Sequence, residues 1–241
     1  MKKTIIAALF GLTALSANAQ TELKFVMEAT YAPFEYMDEN NQIKGFDVDL
    51  ANALCEEMKA KCTFHNQAFD SLIPAIKFKR FDAAISAMDI TDARSKQVNF
   101  TNAYYDNAAI FVALEANAKN PLQGKRIGVQ NGSTHQSYLL EQMKGAEAVP
   151  YGSYQDAFLD MKAGRIDAVF GDTAVIAEWL KSDKNVKAVG NPVTDPKYFG
   201  NGFGIAVHKS NKALVEQLNA ALDTIKANGK YDTIYNNYFG Q

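Results

Sequence analysis

The side chains best placed to do chemistry gather around residues 81–94, FDAAISAMDITDAR. Arg94 carries a planar fork that can hold a carboxylate through two parallel hydrogen bonds. Thr91 reads as a helix N-cap with Asp92 in the first turn, so free N–H groups and the positive end of a helix dipole favour an anion beside Arg94. Ser86, Ala87 and Asp89 stand just before them, Glu28 follows the first apolar run, and Asp172 ends DAFLDMKAGRIDAVFGD at 156–172. An anion site, a carboxylate facing it and a second carboxylate farther off suit an L-α-amino acid with a basic side chain. Tyr31 and Phe69 would hold its methylenes and any guanidinium on their aromatic faces. The same residues also fit a blander pattern, in which Asp92 and Arg94 decorate a surface helix and both aromatics pack in a core.

The elements expected around these residues decide between the two. The run 83–85 suits a buried parallel strand, which puts residues 86–89 at its carboxyl end, where open α/β sheets bind ligands. Upstream, a strand over 23–27 leads into a loop over 28–34 extended by Pro33, then turn residues 39–42. Asp47 is expected to cap a helix reaching about residue 59, followed by a strand over 63–67. Asp70 is expected to cap a further helix that tolerates Pro74 near its start and leads into the 81 strand. Strand, helix, strand, helix, strand predicts a parallel sheet with crossover helices.

The pattern restarts after a first crossing near 106–109 and a strand over 109–114. A strand over 126–130 ending in Gln130, a turn at 131–134 and a helix over 133–143 follow, with Ser133, Thr134 and His135 at its start. The segments 70–89 and 156–172 form a weak internal repeat of capped helix, basic turn, apolar-Asp-Ala strand and terminal Asp, which places Asp172 where Ser86 to Asp89 stand in the first half. A helix over 173–180 and a polar loop precede Gly200, Gly202 and Gly204, which suit a second crossing or tight turns. A strand over 205–207 and helices over 212–228 and 231–238 return to the first half. The expected division is a leader at 1–19, the first part of lobe 1 at 20–107, lobe 2 at 108–195, and the second crossing and return at 196–241.

Lys2 and Lys3, an apolar run over 5–15 too short to span a bilayer, and Ala17-Asn18-Ala19 read as a cleaved signal peptide, so the chain is expected to be exported. Removing the leader takes two lysines from the 25 basic side chains, leaving 23 against 27 acidic ones and a net charge of −4. That balance argues against nucleic acid or an anionic membrane as partner. No later stretch reads as a membrane helix. Cys55 and Cys62 are the two cysteines, and a local disulfide is the leading reading in an exported chain. His65, His135 and His208 show no metal-ligand spacing, and neither a metal nor a cofactor is expected.

The strings TYAPFEY (30–36), GFDVDLANALCEEM (45–58), FDSLIPAIK (69–77), FDAAISAMDITDARS (81–95), GKRIGVQNGSTH (124–135) and GRIDAVFGDTAV (164–175) resemble the periplasmic solute-binding proteins of polar amino-acid ABC transporters, family 3. The resemblance runs through nearly the whole chain after the leader and is nearest to the arginine and lysine/arginine/ornithine binders. It implies an α/β fold of two lobes, the type II periplasmic binding protein fold, each lobe a mostly parallel sheet flanked by helices, joined by two crossover hinge strands. The implied function is capture of a cationic L-amino acid, arginine foremost, and delivery to an inner-membrane permease by a monomer.

Carried over by position, Arg94 would bind the ligand α-carboxylate with Ser86 and Thr134, and Asp172 the α-ammonium. Tyr31 and Phe69 would sandwich the side chain, and Glu28 would meet its distal cation. Ala87, Gln130, Ser133 and His135 complete the expected ligand-binding set. Asp89 stands where many relatives have Ser or Thr; its N–H would serve the carboxylate while its side chain points away or accepts from Arg94. His135 stands where Gln is common, without an assigned role.

Three alternatives remain: a binder of lysine, ornithine, histidine or glutamine; an exported dehydratase on the same fold; and a sensory domain. For the dehydratase, Glu28, Asp172 and His135 could shuttle protons, although the sequence offers no nucleophile–base pair. The sensory reading lacks a membrane helix before Gln241.

Overall fold

The computed structural model describes residues 21–120, 122–199 and 201–240; the expected leader over 1–19 and Gly200 of the second crossing lie outside the described residues. The first lobe opens with β1 (Glu22–Met27), β2 (Thr30–Tyr31), β3 (Glu35–Met37) and β4 (Ile43–Lys44), followed by helix α1 (Phe46–Glu57) and β5 (Lys61–Asn66). A 3-10 turn (Phe69–Ser71) runs into α2 (Leu72–Lys77), then β6 (Ala83–Ala84), α3 (Asp92–Ser95) and β7 (Asn99–Phe100). The second lobe holds β8 (Ala109–Leu114), β9 (Arg126–Gln130), α4 (Thr134–Gln142), β10 (Glu147–Tyr151), α5 (Tyr154–Lys162), β11 (Ala168–Asp172), α6 (Thr173–Ser182) and β12 (Val186–Val193). β13 (Ala206–Val207), α7 (Lys212–Ala227) and α8 (Lys230–Phe239) return to the first lobe.

Each lobe is built on a five-stranded sheet, in the order β5-β1-β6-β13-β7 and β10-β9-β11-β8-β12. β5, β1 and β6 run parallel, as do β10, β9 and β11. β13 is antiparallel to both of its neighbours, and β8 to both of its own. The carboxyl ends of β1, β6, β9 and β11 converge on the cleft between the lobes, which is why the polar residues after those strands meet there.

The expected loop over 28–34 contains β2, and the expected turn at 39–42 joins β3 to β4, so that β2-β3-β4 form a small antiparallel sheet. The polar stretch after α6 is the edge strand β12, irregular between Val189 and Val193; most of its residues are exposed, so no alternation marked it as a strand. Strand β10 was also absent from the expected order.

Three expected caps are corrected. Gly45 rather than Asp47 precedes α1: its φ is 128°, and a Cβ there would lie 2.2 Å from the Phe34 carbonyl oxygen. Asp47 sits inside the helix and is fully buried. Asp70 lies in the 3-10 turn and accepts from Asn131 Nδ2 at 2.6 Å, while Ser153 rather than Asp156 caps α5.

Cys55 on α1 and Cys62 on β5 are disulfide-bonded with Cα atoms 6.0 Å apart. Two chain crossings run side by side: Phe203 donates to Tyr105 O at 2.8 Å, and Tyr104 donates to Phe203 O at 2.9 Å. Gly202 permits this approach, because its φ is 73° and a Cβ would stand 2.5 Å from Tyr105 O. Helices α7 and α8 pack on α1, where Phe46 lies within 6.3 Å of Tyr231, Tyr235, Tyr238 and Phe239.

Candidate functional site

Arg94 is held in place by its own short helix. Thr91 caps α3 by accepting from Arg94 N at 3.2 Å, so the cap and the functional side chain belong to one turn. The side chain is 7 % exposed; its guanidinium donates to the carbonyl oxygens of Asp89 at 3.0 Å and Gly132 at 3.3 Å, and to no carboxylate among the described residues. Burial lowers its pKa, and the nearby Asp89 and Asp172 carboxylates offset part of that. Phe69 lies under the guanidinium, 5.4 Å from ring centroid to Cζ. In this closed arrangement that ring therefore carries Arg94.

Asp172, at the end of β11, is the meeting point of the opposite wall. It is 2 % exposed, accepts from Tyr31 Oη across the cleft and from Asn107 Nδ2 at 2.6 Å, and lies 3.1 Å from His135 Nε2. The His135 contact has ion-pair distance without hydrogen-bond alignment, and neither ring nitrogen has an aligned partner among the described residues. The imidazole packs against Phe199, Phe170 and Tyr154, with ring centroids 5.0, 5.2 and 5.8 Å away. Burial and the Asp172 charge hold the Tyr31 hydroxyl well above its usual range, so it stays a donor. Tyr31 also lies against Tyr154, 5.2 Å between centroids.

Glu28 follows β1 and is buried. Its carboxylate accepts from Thr30 Oγ1 and from Gln130 Nε2 of the other lobe at 3.1 Å, and burial raises its pKa. The Asp89 side chain points away from Arg94, one of the two expected arrangements. It accepts from Thr134 Oγ1 at 2.6 Å and Asn107 Nδ2 at 2.9 Å. Burial and Asp172 raise its pKa to about 6. Ser133 caps α4 by accepting from Gln136 N, which leaves the first-turn N–H groups around Thr134 without intrahelical acceptors.

The loop after β6 is more committed than its sequence implied. Ser86 Oγ donates to Glu35 Oε1 at 2.8 Å and accepts from Glu28 N at 3.0 Å. Ala87 N donates to Asp47 Oδ2 at 2.8 Å. Thus the Ser86 hydroxyl proton and the Ala87 N–H both point away from the cleft.

Sequence reasoning missed Asn107, Glu35 and Asp47. Asn107 sits at the crossing and bridges Asp89 and Asp172, carboxylates of opposite lobes; only its position in the expected hinge could have marked it. Glu35 could have been found as an acid directly after the apolar Pro33-Phe34 pair. Asp47 was visible but read as a cap.

The model of bacterial extracellular solute-binding proteins, family 3, matches residues 23–241. The chain is 53 % identical over 243 residues to ABC transporter arginine-binding protein 1 of Escherichia coli K12, covering 100 % of each chain. It is 49 % identical over 240 residues to the arginine-binding periplasmic protein of Mannheimia haemolytica, covering 100 % of this chain and 99 % of that one. Among solved structures, a Salmonella typhimurium periplasmic binding protein described for high arginine specificity superposes with a TM-score of 0.87 at 45 % identity, over 91 % of this chain and 99 % of that one.

Proposed function

The chain belongs to the bacterial extracellular solute-binding proteins, family 3, and from that premise we propose that it captures L-arginine in the periplasm and hands it to an ABC-transporter permease. The observation that carries this reading is Arg94: a buried guanidinium supported by two carbonyls, across the cleft from buried Asp172 and in the same lobe as buried Glu28. A ligand with one anionic and two cationic groups pairs all three charges. The α-carboxylate meets Arg94 and the first-turn N–H groups of α4. The α-ammonium meets Asp172, and the guanidinium meets Glu28 beside Gln130, with Tyr31 along the methylenes. A guanidinium suits this better than an ammonium, because it is planar and donates from a fixed fork.

Because Arg94 and Glu28 come from one lobe and Asp172 from the other, closure about the paired crossings completes the site. It also expels water, which strengthens each charged contact. Phe69 would leave or share its contact with Arg94 to stack on ligand. The leader over 1–19 would direct export, and the protein would act as a monomer.

The dehydratase reading loses ground because His135 faces aromatic rings on three sides and the acidic groups already have binding roles. Thermal unfolding of ligand-free protein against a panel of amino acids tests the proposal. Ligand at about a hundred times its dissociation constant adds roughly 2.7 kcal/mol. A rise with L-arginine and little change with glutamate is expected; no rise with any cationic amino acid would sink the reading.

A further inference from the structure

Beneath the loop after β6 lies a pair of carboxyl groups outside the ligand set. Glu35 on β3 and Asp47 on α1 are both fully buried. Glu35 Oε1 accepts from Ser86 Oγ at 2.8 Å; Asp47 Oδ2 accepts from Ala87 N at 2.8 Å and Tyr104 Oη at 2.9 Å. The remaining oxygens, Glu35 Oε2 and Asp47 Oδ1, have no hydrogen-bond partner among the described residues, and the two carboxyl groups are close enough to bond to one another. The titratable groups around them are Glu28 after β1, Tyr104 at the crossing and Tyr231 on α8, and no cation bonds to either acid among the described residues.

Two buried carboxylates touching without a cation would leave an oxygen–oxygen contact with no hydrogen in it. One proton between them turns that contact into a hydrogen bond and leaves the other oxygens free to accept from the loop. The loop needs such support. Ala87 has φ of 41°, in the left-handed region that side chains other than glycine avoid, so its shape must be imposed from outside. Through Ser86, the same pair also fixes the backbone N–H of Glu28.

We propose that Glu35 and Asp47 act as a carboxylic acid–carboxylate pair that positions residues 86–89 and Glu28 for ligand binding. Neither touches the ligand; both are positioning residues. Burial pushes Glu35 well above the usual carboxylate range and Asp47 up to about 7, in keeping with a retained proton. The inference rests on the arginine-binding reading for its affinity measurements, and its proton has a separate readout in the ligand-free chain.

The variants are Glu35→Gln, which reproduces the protonated acid as donor and acceptor, and Glu35→Ala, which removes both. Calorimetry with L-arginine at pH 6 should give Glu35→Gln a dissociation constant within about threefold of wild type. Glu35→Ala should bind at least about tenfold more weakly while still unfolding cooperatively. Above pH 7 wild-type affinity should decline as the shared proton leaves, and Glu35→Gln should decline less. Equal losses in the two variants, or identical pH profiles for wild type and Glu35→Gln, overturn the proposal. In ligand-free protein, raising the pH from 6 to 9 should lower the wild-type unfolding midpoint more than that of Glu35→Gln. If that difference appears while no cationic amino acid binds, the pair stands and the arginine reading falls; if it is absent, the shared proton is refuted whatever the ligand.

Discussion

Asp172→Asn tests the ammonium side of the cleft with little change in shape. Asp172 is buried between Tyr31 Oη, Asn107 Nδ2 at 2.6 Å and His135 Nε2 at 3.1 Å, so the amide oxygen can keep an acceptor role while the charge is lost. At about 3 Å and an effective dielectric of 20, a ligand ammonium and this carboxylate attract by about 5.5 kcal/mol before desolvation is subtracted. Truncating one side of such a buried pair costs roughly 2 to 5 kcal/mol, which at about 1.4 kcal/mol per decade is about 30-fold to several thousand-fold in the dissociation constant.

Calorimetric titration with L-arginine at pH 7 measures this loss. The ligand-free fold should not suffer in parallel, because Asp172 is one of the groups pushing Asp89 up to about 6, and removing its charge relieves that repulsion. The unfolding midpoint should therefore hold or rise while affinity collapses. A dissociation constant within about threefold of wild type, or a loss of affinity and stability together, would refute Asp172 as the ammonium ligand.

Glu28→Gln should weaken arginine by at least about tenfold, since a hydrogen bond to a charged group contributes roughly 1.5 to 3 kcal/mol, and should change an uncharged amino acid much less; equal losses in a titration of both would remove Glu28 as reader of the side-chain cation. Replacing Cys55 and Cys62 together by serine opens a loop with a sequence separation of 7, for which chain entropy gives about 2.5 kcal/mol, a midpoint lowered by roughly 5–10 °C. An unchanged midpoint in scanning calorimetry would count against that estimate. Asp47 at about 7 and Asp89 at about 6, both raised from 3.8, bind a proton more tightly folded than unfolded. Their contribution is present in full below the unfolded value and lost as pH rises through the folded one. Ligand-free protein should therefore unfold at a higher temperature at pH 5 than at pH 7.5, and the reverse order would contradict the burial of these groups. Surface carboxylates Glu141, Asp160 and Asp183, lowered by Lys197, Arg165 and Lys162, oppose this only at more acidic pH.

The architecture was legible where side-chain pattern and backbone need coincide. Apolar runs such as Ala83-Ala84 and residues 168–170 announced parallel strands, and Thr91 and Ser133 announced helix starts, because each signal is local. What was hidden depended on partners far along the chain. Asp47 carries every mark of a helix cap, and only the approach of Ala87, 40 residues later, turns it into a buried acceptor. Asn107 has no motif at all; its role comes from standing where the chain crosses between lobes. β12 was lost because an edge strand that is mostly exposed, without alternation, looks like a polar loop.

On the proposed reading, charge balance is what makes the cleft favour a cationic ligand. Glu28, Asp89 and Asp172 supply three carboxylates against the single guanidinium of Arg94. Asp89 is spoken for by Thr134 and Asn107, and Glu28 by Thr30 and Gln130, so neither is left without donors when the lobes meet. In the proposed site an arginine would pair its three charges with Arg94, Asp172 and Glu28. A glutamine side chain leaves Glu28 with its neutral donors, a moderate loss; a glutamate side chain would set a second carboxylate against Glu28 in a space that excludes water. Discrimination therefore comes from the cost of unpaired and like charges more than from the size of the cleft, and such costs grow as closure lowers the dielectric. In the proposed mechanism hinge closure and specificity are one property: the motion that would remove water is what would make a wrong charge expensive.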